Sequence, residues 1–146
     1  MDYRDGSPAV LVVEDDPALL RLMEHMLASG GFDAVAAGTA ADGLAQVRQR
    51  PGGFDLAILD LMMPGVSGLD LAGELHREFP SLKILYISGF VGSLAAEALA
   101  CRSPERVLLK PFSQEELLGR VRMLVDIPPP GQSGAPAEAV PGGTLG

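Results

Sequence analysis

The sequence predicts an α/β domain, in which a parallel sheet is covered by helices on both faces. Short apolar segments alternate with segments whose apolar residues recur at helical spacing, and this β-α unit recurs along the chain. Crossovers between parallel strands are right-handed, which produces a doubly wound sheet. The central strand is an apolar run that begins at Leu56, ends in Asp60 and is stopped by Pro64 and Gly65.

Composition limits the class of protein. The chain has 146 residues, of which 47% are hydrophobic, enough for one globular domain with a full core. Its net charge of −8 disfavours contact with phosphate backbones, so we expect no direct nucleic-acid binding. No run approaches the roughly 18 apolar residues of a membrane span, and no signal-peptide pattern is present. The single cysteine, Cys101, cannot form an internal disulfide, which favours a reducing cytoplasm.

Five segments are predicted as strands, because each is short, apolar and bounded by charged or turn-forming residues. The third of them is the central strand described above. In chain order the predicted strands cover residues 10–13, 32–37, 56–60, 83–87 and 107–109.

Helices are predicted between and after these strands, because apolar residues recur there at helical spacing behind capping residues. The segment over residues 92–100 is Ala-rich and moderately helical. Ser113 and Glu116 form a capping box at the start of the last helix. The first helix is expected to start at Asp16 before Pro17 and to end at Gly30–Gly31. The second is expected to start at Thr39 with Asp42 and to end at Arg50–Gly53. The third is expected to start at Ser67 and to end before Pro80.

The domain organisation follows from composition. Residues 1–8 are short and polar, and we expect a flexible lead-in there. The ordered domain is predicted over residues 9–127. From residue 128 to residue 146, Pro, Gly, Ala and Ser dominate, which is typical of a flexible tail.

Reactive side chains stand at the ends of four of the predicted strands. They are Glu14 and Asp15 after the first strand, Asp60 after the third, Ser88 after the fourth and Lys110 after the fifth. In an open α/β sheet, these ends meet at the edge where ligands bind. Two carboxylates 4 Å apart repel by about 4 kcal/mol at an effective dielectric constant near 20. Such a cluster favours a cation, and hard oxygen ligands suit Mg²⁺; the alternative is a solvated acidic edge.

Four motifs, in this order and at these intervals, resemble those of response regulator receiver domains over about residues 9–126. The resemblance implies a flavodoxin-like (CheY-like) sheet of five parallel strands in the order 2-1-3-4-5. The motifs are Val-Val-Glu-Asp-Asp-Pro at 12–17, Leu-Asp-Leu-Met-Met-Pro-Gly at 59–65, Ile-Ser-Gly at 87–89 and Leu-Lys-Pro-Phe at 109–112.

The resemblance also implies a function and a set of roles. The chain would take a phosphoryl group from a histidine kinase or histidine phosphotransfer protein, and act as a signalling phosphoacceptor that promotes its own phosphorylation and dephosphorylation. The Lys110–Pro111 peptide bond would be cis. The implied roles are Asp60 as phosphoacceptor, Asp15 as a direct Mg²⁺ ligand, Glu14 as a ligand through water, the Met62 carbonyl as a further ligand, and Ser88 and Lys110 as contacts of the phosphoryl oxygens.

The chain departs from the family pattern at its switch. Many receivers carry Tyr or Phe three residues before the lysine, and Val107 stands there instead. An aromatic residue, Phe90, follows Ser88 by two positions, as in receivers attached to hybrid histidine kinases. Phe90 is therefore the candidate switch residue, although a loop residue packed on the neighbouring helix fits the pattern equally well.

Other classes of protein fit less well. A haloacid-dehalogenase-type phosphotransferase also uses an Asp nucleophile on a parallel sheet, but it needs a second acid where Met62 stands. A flavin-binding flavodoxin needs a phosphate-cradling loop after the first strand, and the acidic residues 14–16 would repel the phosphate. A non-phosphorylated scaffold would have no need for Asp60, Ser88 and Lys110 together. His25 and His76 each lack a second ligand one helical turn away, and no role is assigned to them.

Overall fold

The computed structural model describes residues 7–89 and 102–126. Its five strands form one parallel sheet in the order β2-β1-β3-β4-β5, which confirms the expected topology. The expectations for the lead-in at 1–6, the helix at 92–100, Phe90, Cys101 and the tail at 128–146 lie outside the described residues. The strands are β1 (Ala9–Val13), β2 (Asp33–Ala37), β3 (Leu56–Asp60), β4 (Lys83–Ser88) and β5 (Val107–Leu109).

The described helices start at the predicted capping residues. Thr39 and Ser67 each accept a hydrogen bond from the backbone N–H three residues ahead, and Ser113 and Glu116 form the reciprocal capping box. In the described part of the chain, no helix is long and apolar enough to cross a membrane. The helices are α1 (Pro17–Ser29), α2 (Ala40–Gln49), α3 (Gly68–Glu78) and α4 (Gln114–Asp126), with a short 3₁₀ turn at Pro104–Arg106.

The central strands β1 and β3 are buried on both faces because their side chains alternate between two apolar clusters. In β1, Val10 and Val12 face the cluster built with α1 and α4, whereas Leu11 and Val13 face the one built with α2 and α3. In β3, Ile58 likewise faces α1 and α4. Near-continuous apolar strands of this kind are characteristic of parallel sheets covered on both sides.

The strand register brings the polar strand ends together. Val13 pairs with Leu59 between β1 and β3, so Glu14 lies beside Asp60 at the same edge of the sheet. Asp60 in turn pairs with Ile87, which places Ser88 just beyond it on β4. The same edge of β5 ends at Lys110, whose backbone N–H donates to the Ser88 carbonyl at 2.8 Å.

Two cationic side chains attach α4 to the sheet. The Arg120 guanidinium donates to the backbone carbonyls of Pro104, Glu105 and Val107, and its distance to the Val107 oxygen is 2.6 Å. At the start of β4, the Lys83 ammonium donates to the Val125 carbonyl at 2.9 Å. The Arg120 contacts stabilise the turn that leads into β5. They therefore help to position Lys110, which follows β5 directly.

The start of α3 packs directly on the end of β3. The Gly68 N–H donates to the Leu61 carbonyl at 3.2 Å. A Cβ atom at position 68 would overlap the backbone carbonyl of Asp60 and also crowd Leu61. Glycine is therefore required for this close approach, and α3 supports the backbone of Asp60 from one side.

We predict that Gly68→Ala will lower the free energy of unfolding by about 1–3 kcal/mol, since the added methyl group meets backbone that cannot rotate away. The matched control is Gly73→Ala on the same helix, where a Cβ meets nothing within 4 Å. This control should raise the free energy of unfolding by about 0.5–1 kcal/mol. Urea denaturation measures both changes, and equal effects of the two substitutions would contradict the packing account.

Candidate phosphoryl-acceptor site

The centre of the site is the carboxylate of Asp60 at the end of β3. The residue is only 2% exposed, and both of its oxygens accept hydrogen bonds. One oxygen, Oδ1, accepts from the backbone N–H of Met62 at 3.0 Å. The other, Oδ2, accepts from the Lys110 ammonium at 3.2 Å. Asp60 is thus oriented by the turn after its own strand and by a cation from β5.

Lys110 bridges two buried carboxylates. Its ammonium lies 3.1 Å from Glu14 Oε1 and 3.2 Å from Asp60 Oδ2. Burial by itself lowers the pKa of Lys110, but the contacts with Glu14 and Asp60 outweigh it, so the pKa stays above its usual value. The ammonium is therefore charged at neutral pH. The Lys110–Pro111 peptide bond is cis, as the family resemblance implied.

The Lys110 side chain crosses close to Gly89. A Cβ atom at position 89 would lie 3.3 Å from the Cδ atom of Lys110, which is tighter than ordinary packing. The small residue after Ser88 therefore gives the lysine a direct path to the carboxylates. In the sequence, Gly89 stands out only as part of a motif, because its close approach to Lys110 depends on how β4 and β5 pair.

Glu14 is the second buried carboxylate of the site. It is 1% exposed, and its Oε2 accepts a hydrogen bond from the Asp16 N–H at 3.0 Å. Burial raises the pKa of Glu14, and the nearby Asp60 charge adds to this effect, whereas the Asp16 N–H and Lys110 oppose it. The sequence predicted that Glu14 and Asp60 would lie at one edge, but it did not reveal the ion pair with Lys110.

Asp15 completes an acidic group with Glu14 and Asp60. Each of the three carboxylates offers an oxygen, and these oxygens lie within 4.8 Å of one another. Asp15 is exposed, whereas the other two are buried. The next residue, Asp16, has a different task, because its side chain accepts from the Ala18 N–H at 3.0 Å and caps α1.

The acidic group has the donor chemistry that a hard divalent cation needs. Its ligand atoms are carboxylate oxygens, which Mg²⁺ and Ca²⁺ prefer to nitrogen or sulfur. Glu14 Oε1 is buried and, among the described residues, no donor is aligned to form a hydrogen bond with it, although Lys110 lies within ion-pair distance. The residues present therefore fit a cation at this position.

The other predicted site residues lie around this group. Ser88 is fully buried at the end of β4. Met62 is 57% exposed, while its backbone N–H orients Asp60. Val107 is buried on β5, and Phe90 lies outside the described residues.

One aromatic residue near Val107 was not recognised as a site residue from the sequence. Tyr86 on β4 pairs with Val107 in the strand register, and it lies two residues before Ser88, on the same face of the strand. It is partly buried. The signal in the sequence was an aromatic residue within a β4 segment of otherwise aliphatic character, but its proximity to β5 depends on the register.

Comparison with known proteins agrees with this geometry. The family model of the response regulator receiver domain matches residues 10–122. The probable transcriptional regulatory protein TcrX of Mycobacterium tuberculosis is 35% identical over 127 residues, which cover 86% of this chain and 53% of TcrX. This chain thus spans about half the length of that relative. Because TcrX is a probable transcriptional regulator, the expectation that this chain avoids nucleic acid is not confirmed.

A sensor kinase also contains a similar segment. CckA of Brucella abortus is 29% identical over 121 residues, which cover 83% of this chain and 13% of the kinase. Among solved structures, the response regulator TrrA of Thermotoga maritima, in complex with Mg²⁺ and BeF, is 28% identical with a TM-score of 0.69. The match covers 80% of this chain and 98% of TrrA.

The family match favours neither a dehalogenase-type phosphotransferase nor a scaffold, the two alternatives that the sequence left open. It covers the sheet from the second residue of β1 onward together with the acidic strand ends, and the strand order agrees with it. The chain therefore belongs to the response regulator receiver domain family of two-component signalling systems.

Proposed function

We propose that Asp60 accepts a phosphoryl group from a phosphohistidine on a histidine kinase or histidine phosphotransfer protein. The observation that carries the proposal is the position of the Asp60 carboxylate, buried at a strand end with the Lys110 ammonium 3.2 Å away. A buried carboxylate held by a cation is both oriented and shielded from bulk water. Membership of the receiver family supports the same assignment.

The transfer is a substitution at phosphorus. An Asp60 carboxylate oxygen forms the new P–O bond while the P–N bond to the donor imidazole breaks, and the imidazole leaves with the electron pair of that bond and binds a proton. The product is an acyl phosphate. Because the transition state for phosphoryl transfer is loose, the protein contributes mainly by positioning groups and neutralising charge.

A divalent cation, Mg²⁺, belongs to the proposal. The ligands would be Asp60, Asp15, the Met62 carbonyl and, through water, Glu14. The three carboxylates with oxygens within 4.8 Å of one another support this set. Mg²⁺, when bound, would supply positive charge that offsets both the carboxylates and the phosphoryl oxygens. The exposure of Asp15 is compatible with a cation that keeps some of its water ligands.

Lys110 and Ser88 would contact the phosphoryl oxygens. The Lys110 ammonium already lies next to the acceptor carboxylate, and the Ser88 hydroxyl lies on the neighbouring strand at the same sheet edge. With these groups the chain would promote its own phosphorylation and dephosphorylation. It would remain a signalling phosphoacceptor rather than an enzyme, since Asp60 is itself modified in the reaction.

The proposed phosphohistidine donor indicates the partner of the chain and, together with its cysteine content, its cellular location. A phosphohistidine donor and a single cysteine support a cytoplasmic location. CckA, a sensor kinase, contains a segment similar to this chain, which supports a histidine kinase as partner. We also propose that the output is a protein–protein contact rather than direct binding of nucleic acid by this domain, since the net charge is −8.

Phosphorylation would change the surface beside β4 and β5. It adds about 1.5 to 2 negative charges at Asp60, and Lys110 and Ser88 are the groups placed to move toward them. Val107 is too short to follow the hydroxyl as an aromatic ring would. We therefore propose that Phe90 changes its burial, since it follows Ser88 by two residues and Gly89 permits the intervening loop to move.

The phosphoacceptor assignment predicts that a small acyl phosphate donor with Mg²⁺ will label the wild-type chain at Asp60. Asp60→Asn should remove the label, because an amide cannot form the acyl phosphate. Asp16→Asn is the matched control, since the Asp16 side chain caps α1 and its backbone N–H, which donates to Glu14, is kept in the variant. Intact-mass spectrometry measures the added phosphoryl group, and an unchanged label in Asp60→Asn would refute the assignment.

The metal assignment predicts that Asp15→Asn will weaken Mg²⁺ binding much more than Asp16→Asn does, because only Asp15 belongs to the acidic group. Titration calorimetry of the unphosphorylated chain gives both affinities. Asp16→Asn should also keep most of its stability, since asparagine is a good N-cap. Equal losses of affinity would remove the distinction between the two residues.

The switch assignment predicts that Phe90→Ala will uncouple phosphorylation from the changes at β4 and β5. Amide NMR shifts of Tyr86 and Val107, with and without beryllofluoride as a phosphoryl mimic, report the coupling. Burial of one aromatic side chain, about 1.5–3 kcal/mol, is large enough to bias two conformations. If the shifts are the same in the wild type and the variant, Phe90 only packs against its neighbours.

A further inference from the structure

A cavity lies away from the acidic site, between α3 and β4. Its volume is about 440 Å³, within the range of small-molecule sites. The apolar part of its described wall includes Leu69, Ala72, Leu82, Ile84 and Leu124. None of the acidic-site residues lines it. The cavity can therefore enclose an apolar group without displacing the phosphorylation machinery.

The polar groups of this cavity are donors or cations. They come from His76 on α3, Lys83 and Tyr86 on β4, and Arg106 in the 3₁₀ turn. Among the described residues that line it, none is acidic, although the whole chain carries a net charge of −8. A smaller cavity of about 320 Å³ at the start of β3 differs, because Asp55 lines it together with Lys83. The local charge thus favours an anion in the larger cavity.

Arg106 is the cation best placed for an anionic ligand. The carboxylate of the adjacent Glu105 lies 4.0 Å from its Nε atom, which exceeds hydrogen-bond distance, and both side chains are partly exposed. Lys83 also lines the cavity, but its ammonium donates to the Val125 carbonyl and is attracted by Asp55 and Asp126. Lys83 is therefore already paired, whereas Arg106 can offer further N–H donors.

Tyr86 adds a neutral hydrogen-bond donor close to Arg106. Burial raises the pKa of the Tyr86 phenol, and Arg106 opposes this effect only in part. The phenol therefore keeps its proton at physiological pH, and it can donate a hydrogen bond to an oxygen ligand.

We propose that this cavity binds a small amphipathic carboxylate. Its apolar chain would lie between α3 and β4, and its carboxylate would accept hydrogen bonds from Arg106 and Tyr86. The inference goes beyond the proposed function, because it requires neither phosphorylation nor a metal ion.

The probe is octanoate, titrated into the unphosphorylated full chain without a phosphoryl donor. Amide NMR should show saturable shifts in α3, β4 and the turn at Pro104–Arg106. Octylamine has the same chain length and the opposite charge, and octan-1-ol is neutral. Octanoate should bind about tenfold more tightly than either, because only the carboxylate gains charge-assisted hydrogen bonds.

Two glycines provide a matched pair of variants. Gly73 lines the cavity and Gly119 on α4 does not, and a Cβ at either position meets nothing within 4 Å. Gly73→Leu should fill the cavity and weaken octanoate binding about tenfold or more, whereas Gly119→Leu should leave it unchanged. Arg106→Gln should reduce octanoate affinity to that of octan-1-ol, and it provides the test if Gly73→Leu fails to fold.

Three results would overturn the proposal. The first is octylamine binding as tightly as octanoate at the same amides. The second is unchanged octanoate affinity in a folded Gly73→Leu or Arg106→Gln protein. The third is the absence of saturable shifts in α3 and β4. None of these results depends on labelling of Asp60. Failure of the carboxylate-binding proposal would therefore leave the phosphoacceptor assignment unaffected, and failure of the phosphoacceptor assignment would leave the carboxylate-binding proposal unaffected.

Discussion

The contact of the Lys110 ammonium with Glu14 and Asp60 is the interaction on which the rest of the site depends. Two buried carboxylates at the ends of β1 and β3 repel each other, and the lysine from the end of β5 lies within 3.2 Å of both. A charge that is buried without such a partner costs several kcal/mol. The ends of three strands must therefore keep their relative positions, and the close packing of Gly68, Gly89 and Arg120 maintains them.

The same contact explains how a charge added at Asp60 would reach a distant surface. Lys110 continues the β5 chain, and its N–H donates to the Ser88 carbonyl. Under the proposed function, a displacement of the ammonium toward a phosphoryl group would pull on the β4–β5 pair, where Tyr86 and Val107 are neighbours. An ordinary charge–charge interaction would thus change the packing at the edge of the sheet. The cavity beside Tyr86 lies at that edge, so its occupant would experience the same displacement.

Much of the fold could be predicted from the sequence, because its local signals agree with the structure. The strand from Leu56 to Asp60 and the capping box of Ser113 and Glu116 are found where they were predicted. The strand order came only from the family resemblance, since alternation of strands and helices does not determine which strands are neighbours. The 3₁₀ turn at Pro104–Arg106 was not predicted, because Arg120, which is distant in sequence, stabilises it. The Glu14–Lys110 ion pair and the Tyr86–Val107 proximity were missed for the same reason.

The most direct test of the central claim is to locate the phosphorylated side chain chemically. Borohydride reduces an aspartyl phosphate to homoserine, and peptide mass spectrometry then identifies the altered position. The account predicts homoserine in place of Asp60 after phosphorylation by a histidine kinase with Mg²⁺, and aspartate at positions 15 and 16. Conversion at Asp15 or Asp16, or a phosphorylated chain that borohydride does not convert, would contradict it.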